Sequence, residues 1–234
     1  MQDPEPDGSK AKRKAQSRAG RPRLGAETGR ETILCKALDG FARRGYEGVN
    51  IRDLARQAGV NIALANYHYG SKAALWEACL ERLRERAAPS IEELTAIAAS
   101  GLPYGDRLCR FYAAFIRFNA ALPEYGLFIL QEMVQAGERQ AQVKVALVDP
   151  FHDVTLPLLQ EGIALGLIPP QDASLLFFTH SIAISHVVAG QGLIASFLEA
   201  QDRREQTLAE LLRTMIRSIT GVLPQDFEQA LANA

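Results

Sequence analysis

The sequence predicts an all-α protein with a three-helix N-terminal head and a larger helical body, on three observations. Apolar residues recur at helical spacing from residue 28 almost to the end of the chain. No segment alternates apolar and polar residues as a half-buried strand does, and no repeat of 20 to 50 residues is present, which excludes a solenoid. Near residue 59, two short helical stretches meet across a glycine turn, the arrangement of a helix-turn-helix.

In chain order, residues 1–27 are polar, rich in Pro, Gly, Lys and Arg and without apolar periodicity, and read as a flexible arm. The head follows over residues 28–72 and the body over residues 73–234. A first helix is expected from Thr28, capped with Glu31, through Ile33, Leu34, Ala37, Leu38, Phe41 and Ala42 to a stop at Gly45. Asn50 caps a second helix ending near Gln57, Gly59 breaks it, and Asn61 caps a third running to about His68. Ser71 starts a fourth helix, in which Pro89 either introduces a kink or opens a new helix. Further helices are expected over 104–122, 124–135, 139–147, 150–165, 172–199 and 203–222, with a last turn or two over 225–232. Asp149 caps the 150–165 helix, with Pro150 at its first position. About nine helices result.

The formal net charge of −1 conceals an asymmetry. Residues 1–88 hold 17 Lys and Arg against 11 Asp and Glu, net +6, and the rest hold 9 against 16, net −7. The N-terminal end therefore suits a polyanion. Three widely spaced cysteines, Cys35, Cys79 and Cys109, make neither a disulfide framework nor a zinc motif, and no signal-like apolar stretch follows the N-terminus; a reducing cytoplasm is expected. Residues 173–198 carry no formal charge, but Thr179, His180, Ser181, Ser185, His186, Gln191 and Ser196 argue against a membrane span.

In a helix-turn-helix the second helix presents side chains near its N-terminus to base edges while neighbouring groups hold phosphates. Here Ile51, Leu54, Ala55 and Val60 supply the packing, and residues 61–67 form the candidate reading helix. Residues 30–76 resemble the head of TetR-like transcriptional regulators. The likeness is carried by Ile51-Arg52-Asp53-Leu54-Ala55-Arg56-Gln57-Ala58-Gly59-Val60 and by Tyr67-His68-Tyr69-Gly70-Ser71-Lys72-Ala73-Ala74-Leu75-Trp76. Asn66-Tyr67-His68-Tyr69 is most similar to the CecR-like branch. The resemblance implies a homodimeric DNA-binding repressor whose helical C-terminal domain senses a small molecule. It places Tyr67, His68 and Lys72 on phosphates and Asn61 beside the backbone, with Tyr69 as a core aromatic. Each of the three is chemically able to grip phosphate, and Lys72 also sits at the anion-seeking start of a helix.

The chain departs from the family pattern at Ile62, Ala63 and Leu64, where a basic or hydroxyl side chain is common. Apolar side chains there recognise thymine methyl groups, with Asn66, Arg52 and Asn50 as the nearest polar groups. The arm carries Lys10, Lys12, Arg13, Lys14, Arg18, Arg21 and Arg23 with no acidic residue between positions 8 and 26, a run suited to phosphate and to an adjacent minor groove.

In the body, Ser181, Ser185, Ala189, Gly192 and Ser196 form a stripe of small residues, and Leu208, Leu211, Leu212, Met215, Ile216 and Ile219 an apolar one. Together they are expected to build a four-helix dimer interface. Phe111, Tyr112, Phe115, Phe118, Phe128, Met133, Phe151, Phe177, His180 and His186 are the candidate lining of a pocket for a small hydrophobic effector. His180 and His186 are not at metal-ligand spacing, and neither a metal nor another cofactor is expected. His152, Asp153, Glu161 and His180 could serve as acid or base, yet no phosphate loop, nucleophile motif or zinc signature accompanies them. An enzyme is the weakest alternative; a regulator controlled by a protein docked on the acidic body is the stronger one.

Overall fold

A computed structural model describes residues 24–194, 196–197 and 203–220. All the elements are helical: α1 (Leu24–Arg44), α2 (Ile51–Gln57), α3 (Ile62–Tyr69), α4 (Lys72–Ala98), α5 (Tyr104–Ala121), α6 (Pro123–Met133), α7 (Glu138–Val143), a π-helical turn (Lys144–Val148), α8 (Asp149–Ala164), α9 (Ala173–Ala189), α10 (Gln191–Ile194) and α11 (Arg203–Thr220). Among these residues no helix is long and apolar enough to cross a membrane.

The expected caps at Asn50 and Asn61 are present, and Ser71 and Asp172 cap α4 and α9 in the same way, each side-chain oxygen accepting from a first-turn amide. Four expectations are corrected. The first helix begins at Leu24, upstream of Thr28. Pro89 opens no new helix: α4 runs through it from Lys72 to Ala98. Asp149 caps nothing: α7, the π-helical turn and α8 run on without a break, and its carboxylate pairs with Lys144 at 2.7 Å. The expected 172–199 helix stops at Gly190, leaving only the short α10 beyond.

Head and body share one continuous apolar core. In the head, Ile33, Ala37 and Phe41 of α1 cover Leu54 and Ala55 of α2 and Ala65 and Tyr69 of α3. α6 packs along α1, and Trp76 of α4 stacks on Phe128 of α6 with ring centroids 5.5 Å apart. In the body, α11 packs on α5 and α9, burying Leu211, Leu212, Met215, Ile216 and Ile219. Gly162 of α8 lies so close under Tyr104 that a Cβ there would overlap the phenol, whose hydroxyl donates to the Leu158 carbonyl at 3.1 Å.

His180 joins α5, α9 and α11. It is 6% exposed, with Nδ1 3.0 Å from the Tyr112 hydroxyl and Nε2 3.5 Å from Ser218 Oγ. Burial lowers its pKa from 6.5 to about 4, so the ring stays neutral. The unfolded chain takes up a proton near pH 6.5 where the native protein does not. This contribution is therefore complete above pH 6.5 and is lost as the pH falls toward 4. Urea titrations between pH 7 and pH 4 are expected to show a loss of up to about 3 kcal/mol from this source. A His180→Gln variant should lack that component, and equal slopes for the two proteins would refute it.

Candidate nucleic-acid interface and effector cavity

The head positions α3 through short-range chemistry. Asn50 Oδ1 accepts from the Arg52 amide at 2.9 Å and Asn61 Oδ1 from the Ala63 amide at 2.8 Å, so both helices begin at defined residues. Gly59 between them has φ +67°, a conformation that side-chain-bearing residues rarely adopt. The Tyr69 hydroxyl donates to the Arg30 carbonyl at 2.9 Å, tying the end of α3 to α1.

This packing decides which residues of α3 face outward. Ala63, Asn66 and Tyr67 are exposed, Tyr67 to 72%. Ile62 packs against the core, and Leu64 lies against Gly29 of α1, within 3.1 Å of where a Cβ would stand. Of the apolar reading face expected of Ile62, Ala63 and Leu64, Ala63 is exposed and the other two are half-buried. Asn50 and Arg52 are exposed at the start of α2. His68 is half-buried, with Nε2 inside and without a hydrogen-bond partner among the described residues, so only its other edge remains for a phosphate.

Lys72, expected to meet a phosphate at the start of α4, is braced. Its Nζ lies 3.7 Å from Glu47 Oε2 and 4.4 Å from the centre of the Tyr46 ring. Arg21, Arg23 and the other basic residues of the arm lie outside the described residues.

The body contains a small cavity of about 60 Å³ between α5, α6, the π-helical turn, α8 and α9. Of the residues expected to line it, Phe115, Met133, Phe151, Phe177 and His186 do so. Phe111, Tyr112, Phe118, Phe128 and His180 are buried packing residues outside its lining. Helical periodicity missed Asn119, Tyr125, Ile129, Phe178 and Ile182, which also line it. The polar ones are already engaged, the Tyr125 hydroxyl donating to the Leu147 carbonyl at 2.6 Å and Ser185 Oγ to Asn119 Oδ1 at 2.9 Å. The interior is thus apolar in character. Beside it, sharing Ile129, Met133, Val148 and Phe178 as wall, lies a groove of about 570 Å³ lined also by Glu132, Lys144, Asp149 and His152.

The stripe of small residues expected at a dimer interface divides. Ser181 and Ser185 line the cavity, and Gly126 approaches Ser185 so closely that a Cβ would overlap it. Ala189 is exposed at the end of α9, Gly192 belongs to α10, and Ser196 lies beyond both. Leu208 is half-buried, and Leu212, Met215 and Ile219 are buried inside the subunit. The outward apolar residues of this region are instead Leu175, Phe178, Ile182, Leu193 and Phe197. Among the described residues no group of three His, Cys, Asp or Glu side chains could hold a metal.

The family model for bacterial regulatory proteins of the tetR family matches residues 33–79. The chain is 26% identical to the HTH-type transcriptional repressor NicS of Pseudomonas putida over 190 residues, 80% of this chain and 82% of that protein. It is 27% identical to the HTH-type transcriptional regulatory protein RaaS of Mycobacterium tuberculosis over 134 residues; that match spans 57% of each chain. Among solved structures, the MbdR regulator from Azoarcus sp. CIB shares the fold, with a TM-score of 0.65 at 18% identity over 84% of this chain and 99% of that one. The hemolysin II regulator HlyIIR does so with a TM-score of 0.56 at 22% identity over 83% and 98%.

Proposed function

We propose that this chain, whose residues 33–79 match the model for regulatory proteins of the tetR family and which is similar to a repressor of that kind along most of its length, acts in the cytoplasm as a homodimeric repressor, released from a palindromic operator by a small apolar effector. The observation that carries this reading is the capped α3, which turns Ala63, Asn66 and Tyr67 outward beside Lys72. That surface combines one methyl, one amide and two phosphate-binding groups, the mixture a major-groove reader needs. Arg52 and Asn50 flank it from α2, and Asn66 to Tyr69 keep the likeness to the CecR-like branch. Repression is the direction supported by the likeness to a repressor.

Dimerisation is supported by the exposed apolar residues along α9 and beyond, from Leu175 to Phe197. Such a surface is unfavourable in water and favours a second copy. A two-fold dimer sets its reading helices about 34 Å apart, one turn of duplex. The effector is supported by the apolar cavity, which favours a small molecule over a docked protein as the signal. At about 60 Å³ the cavity is smaller than the roughly 300 to 1,000 Å³ of ordinary ligand sites. An effector therefore has to part α6 from α9, and α6 also packs along α1 of the head.

Selection of bound sequences from random duplex DNA by the full chain tests this reading. The expected winner is a palindrome with half-sites one turn apart, and a protein that is monomeric at micromolar concentration would sink the dimer. A salt titration on that duplex, repeated with a chain lacking residues 1–23, tests the arm. Weaker binding with a flatter salt slope is expected, and an unchanged slope would exclude arm contacts.

A further inference from the structure

Tyr46 follows Gly45, which has φ +70°, in the turn after α1, and its ring is where head and body meet. From the head, Phe41 stacks on it at 5.9 Å and Lys72 Nζ lies 4.4 Å from its centre, while Trp76 of α4, in the body, meets it edge-on at 6.5 Å. From the body, the guanidinium of Arg139 on α7 lies 4.0 Å from the same centre. Two cations from opposite parts of the molecule thus address one ring, whose electron-rich face attracts both.

Arg139 is itself held. Its Nε donates to Glu132 Oε2 at 3.2 Å, and the Glu132 side chain is only 3% exposed. A carboxylate so buried cannot part from its cation without a large penalty, so the two move together. Glu132 lies on α6 and lines both the cleft between head and body, with Tyr46 and Trp76, and the groove beside the apolar cavity.

We propose that Arg139 is a positioning residue for DNA binding. Held by Glu132, it steadies the Tyr46 ring, which together with Glu47 presents Lys72 to a phosphate. A molecule entering the groove at Glu132 thereby loosens a lysine that it never touches. The inference rests on the DNA-binding reading above and adds to it the residues through which the body reaches the head. Lys72 gains because a long, flexible ammonium stem is held in place before the phosphate arrives. The groove gains influence because a ligand that displaces Glu132 discriminates between the braced and unbraced states, as any effector must.

The test is a thermodynamic cycle on the selected palindrome, with affinities and salt slopes read by fluorescence anisotropy. One chain carries Glu132→Gln with Arg139→Gln, removing both partners of the pair together so that neither charge is left alone. Another carries Tyr46→Leu, which keeps apolar bulk and removes the aromatic face; it carries the test if the first fails to fold by circular dichroism. Each is expected to bind about five-fold more weakly than the unaltered chain, from the usual strength of such cation–ring contacts. In a Lys72→Ala background the same changes are expected to have almost no further effect on affinity or slope. Equal losses in both backgrounds, or no loss in folded variants, would overturn the coupling. Failure of the unaltered chain to select any duplex would instead overturn the DNA-binding reading, and this proposal with it.

Discussion

Replacing Tyr67 and Lys72 together by alanine is expected to weaken binding to the selected duplex about a hundred-fold, while the chain stays folded. Tyr67 is 72% exposed, so its loss leaves no cavity. Lys72 is bonded through its charge to Glu47 and Tyr46 at the surface of the head and is not a core residue. Each is placed to meet a phosphate, and a hydrogen bond to a charged group contributes about 1.5 kcal/mol or more, roughly a ten-fold effect for each residue. Removing Lys72 should also reduce the salt slope by about one, whereas Tyr67 carries no charge and should leave it unchanged. The loss should be similar across duplex sequences. A loss confined to particular bases would show instead that Tyr67 reads base edges, and no loss at all would move the interface away from α3.

Replacing Phe151 by alanine is expected to have the largest effect on stability, about 3 to 5 kcal/mol. Its ring is 3% exposed and lies 4.9 Å from Phe118, 5.5 Å from Phe115 and 5.5 Å from Tyr125, so it joins α5, α6 and α8 where the cavity begins. The midpoint of urea unfolding should fall with little change in its slope, as expected when a native contact is lost and the unfolded chain is unaltered. The deletion also enlarges the apolar cavity. Benzene or toluene should therefore raise the melting temperature of the variant more than that of the unaltered protein, because a dry apolar void binds such molecules. A loss below about 1 kcal/mol would mean that α6 and α9 collapse into the space. The cavity would then be too compliant to hold a defined ligand.

The head was legible because its determinants are local. Asn50, Asn61 and Ser71 cap amides two or three residues away, and Gly59 and Gly70 take backbone angles that suit glycine alone. The match over residues 33–79 agrees with the family that those residues resemble. The fold class followed equally well from helical periodicity. A new helix at Pro89 and a cap at Asp149 did not materialise because a proline or a capping side chain is only permissive. α4 runs on through Pro89, and the π-helical turn carries α7 into α8 past Asp149.

The candidate sites of the body were legible only in part, for a different reason. α9 is apolar around most of its circumference, from Leu175 and Phe178 outside to Phe177 and Ile184 inside, so periodicity could not tell which face the subunit would cover. The small residues Ser181 and Ser185 read as a stripe for a partner, yet Gly126 lets α6 approach them and turns them into cavity wall. In the same way α11 spends its apolar face on α5 and α9. What the sequence determined by itself was the helical class and the capped reading head, because caps and turns act over a few residues. Only the tertiary structure decided which side of α3 looks outward, which aromatics enclose the cavity, and that Lys72 and Arg139 share the ring of Tyr46. Those depend on contacts between residues far apart in the chain, and no local pattern records them.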